Sequence, residues 1–167
     1  MRQSQLQFIR QQGFSNPDAD RHLYAALMLQ PRIIAGLVLA GIQAQSPWVF
    51  LALSAVLWWS TFVPRSNPFD ALYNAVVAHP RRYRPMGVAP APRRFAEGLA
   101  AALALAIGVA LLVGARNIAW VCQGLLGSAV AALVFGRFCA GSYLYHLLSR
   151  LPFAGRHSAS ARPQGSC

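Results

Sequence analysis

Apolar residues arrive along this chain in four long runs, each bounded by proline, arginine or a short polar turn. That segmentation predicts helices of membrane-crossing length. The clearest run, "FAEGLAAALALAIGVALLVGA" at 95–115, holds one acid near its start. About twenty residues at 1.5 Å each match a bilayer core of roughly 30 Å. The next, "NIAWVCQGLLGSAVAALVFG" at 117–136, is uncharged and follows after a short turn, so the two are expected as an antiparallel hairpin.

Upstream, "SPWVFLALSAVLWWSTFV" at 46–63 opens with Pro47 at a first-turn position and is stopped by Pro64. Trp48, Trp58 and Trp59 suit its two water interfaces. The run at 23–45 reaches spanning length only by including Pro31 and Arg32, which implies a kink and a snorkelling arginine. The expected fold is therefore an all-α integral membrane protein, with four transmembrane helices in two antiparallel hairpins filling a membrane domain at 23–150. A polar N-terminal segment at 1–22 precedes it, and a small, polar tail at 151–167 is expected to be disordered.

The link at 64–94 has a pattern of its own. In "SNPFDALYNAVVAHP", Ser66 or Asn67 can cap, Pro68 fits a first turn, and Phe69, Leu72, Tyr73, Val76 and Val77 form one apolar stripe. This predicts a short helix at about 68–78, lying in the membrane interface or packed beneath the bundle.

Composition sharpens the picture. The chain has 167 residues, 56% hydrophobic and 11% charged, against roughly a quarter charged in soluble domains. All fifteen basic residues are arginine, against four acids, for a net charge of +11. These arginines fall between apolar runs rather than along one helix face, which excludes a nucleic-acid partner and points to membrane lipid. Arg65, Arg81, Arg82, Arg84, Arg93 and Arg94 crowd the middle link, whereas the turn between the last two runs holds only Arg116. The positive-inside rule then places both termini and the link in the cytoplasm. Arg81, Arg82, Arg84, Arg93 and Arg94 are the candidates for contact with acidic headgroups.

Candidate chemistry is sparse. Cys122, Cys139 and Cys167 have no metal or disulfide-framework spacing. Asn16 and Pro17 can start a helix whose dipole Asp18 and Asp20 complement, so these acids and His22 do not read as a metal loop. His146 lacks a second intramembrane histidine and joins an aromatic belt with Phe138, Tyr143 and Tyr145. Glu97 is expected to reach the headgroups and pair with Arg93 or Arg94. Gly124, Ser128 and Ala132, with Gly98, Ala102 and Ala106, are small residues at four-residue spacing and candidates for close helix packing.

In order and spacing, "SPWVFLALSAVLWW", "APRRFAEGLAAALALAIGVALL" and "FGRFCAGSYLYHLL" resemble the bacterial membrane domain known as domain-of-unknown-function family 4395, over residues 25–150. That family's closing motif implies Phe-Cys-x-Gly-Cys, where this chain has Phe138, Cys139, Ala140, Gly141 and Ser142. A two-cysteine motif would imply thiol- or quinone-linked redox work; with Ser142 present, only Cys139 is a candidate, and it needs an external partner thiol. Read as the C-terminal end of the fourth helix, Cys139 sits where the helix dipole disfavours a thiolate.

No span carries the charges of a transport path, and no nucleotide or hydrolytic motif occurs. The expectation is a non-enzymatic scaffold or accessory subunit without metal or cofactor, contacting lipid and other membrane proteins or itself. Thiol redox through Cys139 and acidic-lipid binding by the link are the alternatives.

Overall fold

The structure is a computed structural model that describes residues 3–14, 23–83 and 85–150, and its described elements are all helical. They are α1 (Gln3–Gln11), α2 (Leu23–Ala44), α3 (Pro47–Phe62), α4 (Pro68–Tyr73), α5 (His79–Arg81), α6 (Ala91–Leu112), α7 (Arg116–Val134) and α8 (Ala140–Ser149). A short 3-10 turn precedes α4, and one π-helical turn joins it to α5. The expected tail at 151–167, and with it Cys167, lies outside the described residues, as do Asn16, Pro17, Asp18, Asp20, His22 and Arg84.

Three helices are long and apolar enough to cross a membrane: Tyr24–Ala44 of α2, α6 and α7. The fourth expected span needs qualification. α3 has only 16 residues, about 24 Å of helix, and reaches spanning length only together with its continuation through Arg81, which bends away by 120°. The chain is thus a multi-pass integral membrane protein with three spans, or up to four if the bent pair is one.

Size complementarity builds the core. Phe50, Leu53 and Leu57 on α3 are buried, and the facing side of α6 presents Ala101, Ala104, Ile107 and Gly108. A Cβ on Gly108 would lie 2.7 Å from the Leu51 side chain, so the contact depends on the missing methyl. Ser54 Oγ donates to Ala101 O at 2.9 Å, and Arg94 Nε donates to Thr61 O at 3.0 Å. Between helices in lipid, such close packing and hydrogen bonding replace the hydrophobic drive. Of the expected row Gly98, Ala102 and Ala106, Gly98 faces Thr61 and Trp58 of α3, but Ala102 is exposed, so the row does not form one face. A four-residue row winds about 40° per step around a helix and leaves a straight seam.

The polar N-terminal segment folds further than its composition suggests. α1 buries Phe8 and Ile9 against Leu27 and Met28 of α2, with Phe14, Tyr24, Met86 and Leu133 around them. It stops at Gly13, whose φ of 92° is open to glycine at little cost.

In the link, Asn67 rather than Ser66 caps the helix: its Oδ1 accepts from Phe69 N at 3.0 Å. The expected stripe divides. Phe69 is buried in the main core with Leu53 and Leu57, and Tyr73 is buried with Ala26 and Ala78, while Leu72 and Val76 are 45% and 63% exposed.

One correction matters for the chemistry. Cys139, expected at the C-terminal end of the fourth helix, lies beyond that helix. α7 ends at Val134, Arg137 takes a left-handed φ of 54°, and α8 starts afresh after Cys139. The guanidinium of Arg137 lies 5.7 Å from the centre of the Tyr24 ring, a cation–π contact that supports this costly conformation.

Candidate functional site

The buried polar residues converge at one place. Arg93, four residues before Glu97 on α6, puts Nε 3.3 Å from Glu97 Oε1 and Nη2 2.7 Å from Asp70 Oδ1 on α4. Arg93 Nη2 also donates to Gln30 Oε1 on α2, and Gln30 Nε2 donates to Glu97 Oε1 at 3.0 Å. Asn67 adds a longer bond from Nδ2 to the same carboxylate at 3.5 Å, and Ser60 Oγ of α3 lies 3.4 Å from Asn67 Oδ1. Three helices, α2, α4 and α6, are therefore tied through one guanidinium and two carboxyl groups, and α3 joins them through Asn67. Arg93, Glu97 and Asp70 are 5%, 6% and 7% exposed. Burying a charged group at that depth is costly unless an opposite charge faces it.

This overturns two expectations. Arg93 does not lie at the lipid surface with the other arginines of the link, and Glu97 does not reach the headgroups. The link brings Asp70 of α4 to the Arg93 guanidinium, 2.7 Å away. Arg81 and Arg82 are exposed, whereas Arg94 is half-buried on Thr61.

The pairing is incomplete. Arg93 Nη1, Glu97 Oε2 and Asp70 Oδ2 are buried and have no hydrogen-bond partner among the described residues. Arg93, Glu97 and Gln30 also line a cavity of about 120 Å³ between α2, α6 and α7, whose remaining wall is mostly aliphatic. Gln12 from the end of α1 and Cys139, Ala140 and Gly141 from the start of α8 complete the lining.

Cys139 is buried and precedes the first turn of α8. Its electrostatic setting is the reverse of the sequence expectation, because it stands at the positive end of a helix instead of the negative end. Gln11 of α1 holds its backbone from both sides: Gln11 Nε2 donates to Cys139 O at 3.1 Å, and Cys139 N donates to Gln11 Oε1 at 3.2 Å. His146 Nε2 lies 3.2 Å from Gln11 O, a bond that requires the ring proton on Nε2. Ser142 Oγ is 3.3 Å from both Cys139 Sγ and Pro92 O. Ser142 has one proton to give, so both contacts are hydrogen bonds when it donates to Pro92 O and the Cys139 thiol donates to it. α8 is seated on α6 by Gly141, where a Cβ would fall 2.7 Å from Ala96 Cα, and by Phe95 against Tyr145 with ring centres 5.8 Å apart.

Other candidates are dispersed. Cys122 is half-buried on α7, and both it and Cys139 are free thiols. Among the described residues no group of three or more His, Cys, Asp or Glu comes together. Gly124 and Ser128 face outwards and Ala132 is half-buried, because α7 turns Ala119, Gln123, Leu126 and Val130 to the core.

Part of the site was within reach of the sequence. Arg93 and Glu97 at helical spacing announce a pair; Gln30, next to Pro31 and two residues before Arg32, is a polar residue within the run at 23–45. Asp70 carries no such signal, since an acid at a helix start reads as dipole compensation.

Neither the curated proteins nor the solved structures contain a significant match to this chain. A family model does match residues 25–150, which takes in α2 to α8, the buried cluster and Cys139. The chain belongs to the DUF4395 family, a domain of unknown function.

Proposed function

We propose that the protein is a small non-enzymatic accessory subunit of a membrane assembly, and that a transmembrane helix of its partner packs on the outward face of α7. One observation carries this reading. Gly124 and Ser128 have the small side chains that let helices approach closely, yet both are exposed, and a Cβ on Gly124 would meet nothing within 4 Å. α7 is also the span with most free surface, 22% buried over its apolar window against 44% and 33% for α2 and α6. Small residues on a lipid-facing helix favour a tight helix contact.

Two antiparallel hairpins with cytoplasmic ends, in a bacterial inner membrane, complete the proposal. Gly41 close to Phe50 supports the first hairpin, and the tight turn between α6 and α7 supports the second. With Arg93 withdrawn into the core, Arg65, Arg81, Arg82 and Arg94 still outnumber Arg116, which supports the orientation.

Purification from membranes in a mild detergent is expected to yield a complex containing a second membrane protein. Gly124→Leu with Ser128→Leu should release that partner and leave the fold intact. A wild-type monomer with nothing bound would end the reading, and a homodimer would move the docking face to a second copy.

A second reading, thiol exchange through Cys139 with an external thiol, is favoured by the place of Cys139 at a helix N-terminus beside a cavity. Alkylation of intact membranes is expected to modify Cys139 faster than Cys122. Slower modification of Cys139, together with an unaltered phenotype for Cys139→Ser where gene deletion has one, would remove it.

A further inference from the structure

We infer that the cavity beside Arg93 and Glu97 is a binding site for a neutral amphiphile whose polar head is a hydroxyl group. The inference is separate from the docking face of α7. It starts from two of the cluster's three orphaned atoms: Arg93 Nη1 has a proton to donate and Glu97 Oε2 has lone pairs to fill, and both residues are more than nine-tenths buried and line the cavity, whereas Asp70 does not. A buried donor or acceptor without a partner is costly, so a head group that satisfies both at once gains what the protein itself leaves unmade.

Charge selects among heads. One guanidinium already faces two carboxyl groups, Asp70 at 2.7 Å and Glu97 at 3.3 Å. No positive charge is left over for a carboxylate or phosphate. An ammonium head would offer Arg93 no acceptor and would sit beside another cation. A hydroxyl accepts from Arg93 Nη1 and donates to Glu97 Oε2 with no charge to desolvate.

Shape selects the rest of the ligand. A cavity of about 120 Å³ is of the scale that holds one small ring or a few carbons, as apolar cavities of roughly 150 Å³ hold benzene. The exposed lining residues, Leu99 and Ala140, are apolar, so the mouth opens towards hydrocarbon and a tail leaves through it. The same head chemistry is found in aliphatic lipid alcohols and in phenolic or quinol-type ring lipids.

Competitive photolabelling of the full-length protein in detergent tests this, with a long-chain alcohol that carries a diazirine on its tail. Saturable adducts on cavity residues such as Ala129 and Leu133 are expected. Dodecanol or dodecylhydroquinone should displace them about tenfold better than dodecyl methyl ether, dodecanoate or dodecyltrimethylammonium. The stronger of the two hydroxyl competitors identifies an aliphatic or an aromatic ligand. Ala100→Phe, which fills the cavity and leaves the charges untouched, should cut labelling about tenfold. Glu97→Gln replaces the free acceptor with a donor, so the ether should then compete as well as the alcohol. Equal competition by all heads, adducts spread over the outer helix faces, or an unchanged head preference in Glu97→Gln would each overturn the assignment and leave a cavity filled by water or unselected chains. If a variant fails to insert, the wild-type competitor series decides alone.

Discussion

Replacing Arg93 by leucine is expected to destabilise the protein by about 3–5 kcal/mol, the usual cost of removing one partner from a buried ion pair. The guanidinium is the sole cation within hydrogen-bond reach of Asp70 and Glu97 among the described residues. Its loss strands two buried carboxyl groups and frees Gln30 Oε1 as well. Lysine should rescue only part of the loss, because a single ammonium cannot span from Glu97 to Asp70 as the forked guanidinium does. The sharper comparison is a triple variant, Arg93→Met with Glu97→Gln and Asp70→Asn. Removing all three charges together should recover most of the stability, since a buried pair contributes little net energy once its desolvation is counted. Thermal unfolding in detergent measures each step. A loss below about 1 kcal/mol for Arg93→Leu, the level of an exposed ion pair, would mean that the cluster is solvated in the folded protein.

Gly141→Ala is expected to have the next largest effect. The added methyl would lie 2.7 Å from both Cα and Cβ of Ala96, and backbone cannot rotate away as a side chain can. Overpacking of this kind costs about 1–3 kcal/mol, and α8 can escape the strain only by lifting off α6. Lifting would break the Ser142 contact with Pro92 O and the Phe95–Tyr145 pair, so Cys139 should become more reactive towards an alkylating reagent as stability falls. Gly36→Ala serves as the control. A Cβ there meets nothing within 4 Å, and with the helix-propensity gain of alanine the change should be neutral or stabilising by up to about 1 kcal/mol. Equal behaviour of the two glycine variants would show that α8 does not dock on α6 in solution.

Cys139 leaves the fourth helix for a reason that lies outside its own stretch of chain. Hydropathy continues through "FGRFCAGSYLYHLL" without proline or acid, so an apolar pattern alone reads it as one helix end. What breaks the helix is a left-handed residue at Arg137, supported by the ring of Tyr24, more than a hundred positions away in the chain. A local pattern cannot register a distant partner. Because of that break, Cys139 passes from a helix C-terminus to a helix N-terminus, and the dipole argument about it changes sign.

α1 shows the opposite limit. Its sequence is polar apart from Leu6, Phe8 and Ile9, too few to announce a packed helix. Leu27, Met28 and Leu133 supply the other half of that small core from α2 and α7. The same holds for the small-residue rows: spacing identifies residues that permit close approach, but which face of a helix is used depends on the helix beside it.

By itself the sequence determined that this chain is helical and lives in a membrane, where its long apolar runs lie, and where the helix of the link begins. These properties follow from transfer free energy and local capping, which act over a turn or over twenty consecutive residues. Only the tertiary structure decided that Arg93 and Glu97 turn inwards, that Asp70 completes their cluster, that two of its buried atoms remain unpaired at a cavity, and that Cys139 begins a separate helix. Those outcomes depend on contacts between α2, α4, α6 and α8, and in a low-dielectric interior the position of a charge is set by the partners that surround it.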